Sequence, residues 1–350
     1  MKSFEYIRPQ TIEAAVAAAT KPGATYIAAG TNLLDLMKGN ITRPDVLVDV
    51  TRLPDLDRIE WRDDGSVRIG ALVRNSDLAH DARFAMAYPA VAEALLSGAS
   101  AQLRNAATTA GNVLQRTRCA YFYDTASACN RRNPGSGCGA IGGLDRLSAV
   151  LGWSDACVAT HPSDFCVPLV ALDAVVEIAG EKGTREVPLE AFHLLPGTTP
   201  DRESVLLPGE LIVAVHLPAS AAAFKAHERY LKVRERTSYA FAVVSCAAAL
   251  RIENGAIAEA RIALGGVAAK PWRAFAAEKA LTGATPGKDA FRQAAEAAFA
   301  DAKPLAGNAF KIELGRRIVA RTLALAAAGT PDRIPALPAS AFAQGASVHA

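Results

Sequence analysis

Five of the six cysteines fall within about fifty residues, from Cys119 to Cys166, and this stretch most restricts how the chain can fold. The surrounding segment, 99–166, shows little apolar periodicity and is rich in Gly, Asn and Arg, so it has no obvious core of its own. Clustered cysteines form disulfides in secreted proteins, and in a reducing compartment they hold metals or redox groups. The first residues, 1–6, have neither the basic nor the apolar part of an export signal. The pattern therefore favours metal binding.

The composition of the whole chain is that of a globular protein. It has 350 residues, of which 51% are hydrophobic and 21% are charged, and its net charge is +3. This length is enough for two or three domains. No block of like charges suggests nucleic-acid binding, and no apolar run reaches the ~18 residues of a membrane-spanning helix. We therefore expect no nucleic-acid partner and no membrane span.

Around the cysteine-rich stretch the sequence predicts alternating helices and strands. Near the N-terminus it predicts a helix at 11–20, a strand at 25–29, a helix from residue 33 and a strand at 46–50. This is a small βαβ-like unit with a glycine turn between strand and helix. In the last third, 241–264 predicts a β-hairpin that turns at Asn254-Gly255, and Ala-rich helices follow.

Two loops have the character of phosphate-binding turns. In the first, a strand ends at Ala29, Gly30 permits a sharp turn and a helix begins, so that backbone N–H groups point into one concavity. The second loop, 108–112, is small and polar and contains one glycine. Neither loop has the G-x-G-x-x-G spacing or the lysine of a P-loop. Each loop alone is more simply interpreted as a structural turn, but together they could bind the two ends of one dinucleotide.

Taken in order, these motifs resemble the FAD-binding subunits of the xanthine dehydrogenase and molybdenum hydroxylase family. The motifs are Tyr26-Ile27-Ala28-Ala29-Gly30-Thr31-Asn32-Leu33, then Gln102-Leu103-Arg104-Asn105 with Thr108-Thr109-Ala110-Gly111-Asn112, then Pro162-Ser163-Asp164. The resemblance extends from residue 1 to about residue 328 and implies an α+β fold. A PCMH-type FAD-binding domain of two α/β subdomains, 1–60 and 61–220, would contain a cysteine-rich insertion at about 113–160. A C-terminal α+β domain, 221–330, with a three-stranded-type sheet and helices, and a flexible tail, 331–350, would follow.

The resemblance implies that the two loops wrap the FAD pyrophosphate and that Asp164 hydrogen-bonds the ribityl or pyrophosphate region. Lys232 would lie near the isoalloxazine and stabilise the reduced, anionic flavin; no other catalytic residue is expected in this chain. The residues themselves favour a surface position for Lys232 and a helix N-cap for Asp164. The family's second loop carries Gly-Gly-Asn, and this chain has Ala110 at the first glycine. The candidate FAD-binding residues are Tyr26, Ile27, Ala28, Ala29, Gly30, Thr31, Asn32, Leu33, Leu34, Thr108, Thr109, Gly111, Asn112, Asp164 and Lys232.

Four cysteines, Cys119, Cys129, Cys138 and Cys157, lie in the insertion without any C-x-x-C pair, which excludes the patterns of standard zinc knuckles and ferredoxins. Spacing alone favours unlinked core cysteines. The surrounding sequence resembles the insertion that carries a 4Fe–4S cluster in a subset of the family, which includes periplasmic aromatic aldehyde oxidoreductases and hydroxybenzoyl-CoA reductase. That resemblance implies one 4Fe–4S cluster on these four cysteines. Four nearby arginines would either offset its negative charge or form a solvated face: Arg116, Arg118, Arg131 and Arg132. The remaining two cysteines, Cys166 and Cys246, are expected to be small buried hydrophobes.

The function implied by the resemblance is electron transfer within a molybdenum-dependent aldehyde oxidoreductase that acts on aromatic aldehydes. A large partner would carry the molybdenum cofactor and a small partner the 2Fe–2S clusters, in a heterotrimer or higher assembly, and electrons would leave through FAD to an external acceptor. The alternatives are a subunit of the hydroxybenzoyl-CoA reductase or xanthine dehydrogenase type, a self-sufficient FAD oxidase, and a metal-stabilised binding module without redox function. The expected location is the periplasm, by export with a signal-bearing partner, or otherwise the cytoplasm.

Overall fold

The computed structural model describes residues 1–332, and most of the tail expected at 331–350 lies outside the described residues. Three sheets of three, five and four strands follow one another along the chain. Helices accompany each sheet, so the α+β class is confirmed. None of the described helices combines the length and apolar character needed to cross a membrane.

The first sheet is the predicted βαβ unit with one additional strand. Its three strands are parallel in the order β1-β3-β2, and Thr11 caps the first helix by accepting a hydrogen bond from the backbone N–H of Ala14 at 3.1 Å. The unit shares a core with Leu211 and Val213 of the second region, which fixes one against the other. Its elements are β1 (Glu5–Ile7), α1 (Ile12–Ala19), β2 (Ala24–Ile27), α2 (Leu33–Lys38) and β3 (Val46–Asp49).

The second region is an antiparallel sheet in the order β4-β5-β8-β6-β7, with short helices on one side. The helical residues between 82 and 97 form two helices because Pro89 starts a new one, at a position where its missing N–H costs nothing. The elements are β4 (Ile59–Trp61), β5 (Val67–Gly70), α3 (Asn75–His80), α4 (Ala82–Ala87), α5 (Pro89–Ser97), α6 (Ala101–Ala106), α7 (Thr109–Val113), α8 (Ala120–Tyr123), α9 (Cys166–Ala171), β6 (Val175–Gly180), β7 (Gly183–Pro188), α10 (Leu189–Phe192) and β8 (Leu211–Leu217).

The insertion between α8 and α9 is held by turns. Residues 124–165, all of which are described, contain isolated bridges rather than helices or strands, and one of these bridges pairs Cys129 with Cys138. Arg132 ties the insertion together, since its guanidinium donates to the carbonyls of Tyr121 and Phe122, each at 2.8 Å, and to that of Ser127. The low apolar periodicity of this stretch therefore corresponds to loop structure.

The third region is an antiparallel sheet covered by three helices. The predicted hairpin is confirmed, with Asn254 and Gly255 at φ of 52° and 79°, as a two-residue turn with positive φ at both positions requires. The expected three-stranded sheet is wrong, because a two-residue strand, too short to give a sequence pattern, adds a fourth. The elements are a 3₁₀ helix (Ala219–His227), β9 (Glu228–Val233), β10 (Val244–Glu253), β11 (Ala256–Gly265), β12 (Trp272–Arg273), α11 (Phe275–Leu281), α12 (Lys288–Ala298) and α13 (Phe310–Ala327).

Candidate functional site: two adjacent cavities

A large cavity lies where the three regions meet. Its volume is about 790 Å³, within the range of roughly 300–1,000 Å³ that is usual for small-molecule sites. The wall includes Thr31 and Asn32 from the loop before α2, Asn112 from α7, Asp164 from the end of the insertion, and Lys232 from β9. Five of the predicted cofactor-binding residues, which lie far apart in sequence, thus line one space.

Gly30 shapes the first loop. It has φ of +74°, a conformation that favours glycine, and a Cβ at this position would lie 2.8 Å from Cδ1 of Leu34, so the leucine side chain would also have to shift. Thr31 and Asn32 follow on the cavity wall. The other predicted residues of this loop do not line the cavity. Tyr26, for example, donates its hydroxyl to the carbonyl of Gly209 at 2.7 Å.

The second loop contacts the first. Asn32 donates from Nδ2 to the carbonyl of Gly111 at 3.3 Å, and the backbone N–H of Gly111 donates to Oγ1 of Thr108 at 3.3 Å. Asn112 lines the cavity, whereas Thr108, Thr109 and Gly111 do not. Ala110 is a helical residue of α7, so its methyl group causes no strain at the position where the family has glycine.

Asp164, Lys232 and Tyr230 form a buried polar group at the cavity wall. Nζ of Lys232 lies 2.7 Å from Oδ2 of Asp164 and donates to the carbonyl of Ser97 at 3.2 Å, and Tyr230 donates its hydroxyl to Oδ1 of Asp164 at 2.5 Å. Burial, and then the charge of Asp164, raise the pKa of Tyr230 well above its usual value, so it donates as a neutral phenol. The surface position favoured for Lys232 is wrong. The N-cap role for Asp164 is also wrong, because Phe165 occupies the N-cap of α9.

Four residues that line the cavity carry buried polar atoms without a hydrogen-bond partner in the described part of the chain: Oδ1 of Asn75, Nε of Arg104, Nε2 of His161 and Oγ of Ser245. These atoms are themselves closed to solvent, so they lie behind the cavity surface rather than on it, and such groups are costly to bury unpaired. Burial, together with His193, lowers the pKa of His161 well below its usual value and keeps the ring neutral. None of these residues was expected to bind a ligand, although Arg104 and His161 lie in or beside the quoted motifs.

The four cysteines of the insertion line a second, narrow cavity of about 10 Å³. All four are free thiols, and Cys129 and Cys157 are buried. Burial, to which Cys157 and Cys129 add, raises the pKa of the Cys119 thiol. The structure thus brings together the four residues predicted as ligands.

The sulfurs of these cysteines are not packed as around a single ion. Among residues 1–332, one group of three or more His, Cys, Asp or Glu side chains has ligand atoms that all lie within 4.8 Å of one another. That group is His161, Cys166 and His193. A zinc ion with Zn–S bonds of about 2.3 Å holds its sulfurs within ~4 Å of one another. No three of the four cysteine sulfurs meet that condition.

Cys157 receives two hydrogen bonds at its sulfur. The backbone N–H of Ala159 donates at 3.5 Å and the guanidinium of Arg131 at 3.8 Å. Arg131 is buried, so the solvated face offered as one interpretation of the arginines is wrong for this residue. Arg118 instead contacts Asn32 and donates to the hydroxyl of Tyr123 at 3.2 Å.

The two cavities are neighbours. Thr117, Cys119 and Ala159 line both of them, so one short wall separates the cysteine cavity from the large one. The two other cysteines, Cys166 and Cys246, are fully buried, as expected, and burial raises the pKa of each to about 12.

Comparison with known proteins covers nearly the whole chain. The model of the FAD binding domain in molybdopterin dehydrogenase matches residues 2–220, and that of the CO dehydrogenase flavoprotein C-terminal domain matches 229–327. The aldehyde oxidoreductase FAD-binding subunit PaoB of Escherichia coli is 53% identical, over 94% of this chain and 99% of that protein. The carbon monoxide dehydrogenase medium chain of Hydrogenophaga pseudoflava is 28% identical, over 91% and 96%. A solved structure of carbon monoxide dehydrogenase from the same organism superposes with a TM-score of 0.73 at 28% identity, over 93% of this chain and 98% of that one.

Proposed function

The chain belongs to the family of FAD-binding subunits of molybdenum hydroxylases, and we propose that it serves an aldehyde oxidoreductase, in which it passes electrons from partner subunits through FAD to an external acceptor. The observation that carries the choice of aldehydes is the 53% identity, over nearly the whole chain, to an aldehyde oxidoreductase subunit. Relatives of the xanthine and carbon monoxide dehydrogenase types are 27% and 28% identical. The aldehyde type is therefore favoured over them.

The large cavity suits FAD. Its size and its polar lining residues match a long, polar dinucleotide, which supplies the redox chemistry when bound. Thr31, Asn32 and Asn112 would hold the cofactor by hydrogen bonds. Lys232 places a positive charge on the wall, fixed by Asp164, where it would stabilise negative charge gained on reduction.

We also propose one 4Fe–4S cluster on Cys119, Cys129, Cys138 and Cys157. Two features support this: four free thiols line one space, and the insertion has no regular structure of its own. A cluster would cross-link the loops that otherwise lack a core. A zinc-stabilised binding module is the competing function, and analysis of iron and zinc separates the two.

The substrate and partners follow the same proposal. We expect aromatic aldehydes to be oxidised on a large subunit with the molybdenum cofactor, and electrons to arrive through 2Fe–2S clusters of a small subunit, in a heterotrimer or higher assembly. The relatives are named as subunits or medium chains of larger enzymes, which fits such an assembly. Export to the periplasm with a signal-bearing partner is the proposed route, and cell fractionation tests it.

The test is to purify the chain with its native partners and to measure flavin, iron, zinc and aldehyde oxidation. We expect about one FAD and about four irons on this chain, and activity with an aromatic aldehyde and an artificial acceptor. The isolated chain should not oxidise aldehydes. A colourless or zinc-containing protein would support the binding module, and turnover by the isolated chain would support a self-sufficient oxidase.

A further inference from the structure

Arg131 is placed differently from the other arginines near the cysteines. Its side chain is 5% exposed, and one arm of the guanidinium points at Sγ of Cys157, 3.8 Å away. Within residues 1–332, it is the only arginine that donates to a cysteine sulfur. By contrast, Arg132, the next residue, donates to backbone carbonyls.

Glu203 holds Arg131 in this position. The carboxylate comes from the loop after α10, more than seventy residues further along the chain, and lies 2.7 Å from the other arm of the guanidinium. The same carboxylate accepts from Nε of Arg116 at 2.6 Å. Two arginines thus share one glutamate, and the group carries one net positive charge.

The charge of Arg131 is the one that the solvent screens least. The side chains of Arg116 and Glu203 are 30% and 23% exposed, compared with 5% for Arg131. A charge away from water acts on its neighbours more strongly than an exposed one. The electrostatic effect on the Cys157 sulfur therefore comes mainly from the charge of Arg131 and from the Glu203 carboxylate that partly neutralises it.

We propose that Arg131 raises the reduction potential of the cluster through the Cys157 sulfur, with Glu203 as the positioning residue that holds it there and moderates its charge. This inference rests on the proposed 4Fe–4S cluster. One-electron reduction makes and breaks no bond but adds one negative charge to the cluster and its thiolates. Positive charge and hydrogen bonds at a ligand sulfur stabilise the reduced form, which raises the potential.

The proposal predicts shifts of opposite sign. Arg131→Gln removes the charge and should lower the potential. Glu203→Gln keeps an amide oxygen that can hold Arg131 but leaves two uncompensated arginines, so it should raise the potential. We expect about a tenfold change or more in the ratio of reduced to oxidised cluster at a fixed potential, which is about 59 mV for one electron. Arg202→Gln is the matched control. It makes the same change of charge at an exposed residue next to Glu203 and should leave the reduction potential of the cluster unchanged.

The experiment is a redox titration of the purified complex, with the cluster followed by electron paramagnetic resonance and with iron measured in each variant. Opposite shifts for the two variants, with none for the control, support the proposal. Equal potentials, or shifts of the same sign, overturn it. If Arg131→Gln holds no iron, the reduction potentials of Arg131→Lys and Glu203→Gln are compared with that of the wild type. An unchanged potential in Glu203→Gln then overturns the inference. Wild-type protein without cysteine-bound iron would instead refute the cluster itself.

Discussion

Removal of the Lys232 ammonium tests how the large cavity is built. In Lys232→Met the chain length is kept, but Asp164 loses a partner at 2.7 Å and retains only the hydroxyl of Tyr230. Both side chains of the ion pair are almost fully buried, at 4% and 7% exposed. An uncompensated carboxylate in such a place costs about 3–5 kcal/mol, so we expect the free energy of unfolding to fall by that amount.

A four-member cycle of variants measures the coupling. Asp164→Asn combined with Lys232→Met removes both charges and should recover at least half of the loss, because no unpaired charge then stays buried. Denaturant unfolding of the FAD-free chain, followed by tryptophan fluorescence, gives the four free energies. Lys279→Met, at an exposed lysine, is the matched control and should change little. If the two single losses simply add, to within about 0.5 kcal/mol, the pair does not act as a unit and the reasoning fails.

Three further changes test other parts of the molecule. Gly30→Ala, at φ of +74°, should destabilise the chain by about 1–2 kcal/mol and weaken FAD binding measured by calorimetry; unchanged affinity would remove this loop from the site. Cys138→Ser should lose iron, whereas the buried control Cys246→Ser should keep iron and flavin; iron retained in the first would exclude Cys138 as a ligand. Burial raises the pKa of Glu228 from 4.5 to about 8, so between these two pH values the native state binds a proton that the unfolded state has lost. The stability that this group contributes is therefore full below pH 4.5 and is lost as the pH rises to about 8. Glu228→Gln should flatten that part of the stability curve between pH 5 and 8, and an unchanged slope would contradict the assignment.

The sequence predicted those parts of the fold that local patterns specify. The βαβ unit, the hairpin at Asn254-Gly255 and the loop character of the insertion follow from turn residues and periodicity. The short strand β12 gives no such signal, because two residues pair only after β11 has positioned them. Tertiary packing, rather than local preference, decides elements of that kind.

The sequence motifs could be identified from the residues alone, but the burial of individual polar side chains was harder to predict. Lys232 is an ordinary lysine in sequence, and its burial depends on Asp164 lying opposite it. A signal was present, since Tyr230 and Lys232 are two apart on one strand and so point to the same face. For Ser245 and Glu203 no pattern of that kind exists. Their roles arise from segments brought together only in the folded chain.

The wall formed by Thr117, Cys119 and Ala159 has a consequence for maturation in the cell. Any movement of this stretch of backbone changes the shape of both cavities at once. Delivery of iron and sulfide and uptake of the nucleotide would then be interdependent steps of assembly. Cells starved of iron would be expected to accumulate chains that are also poor in flavin, even when riboflavin is plentiful.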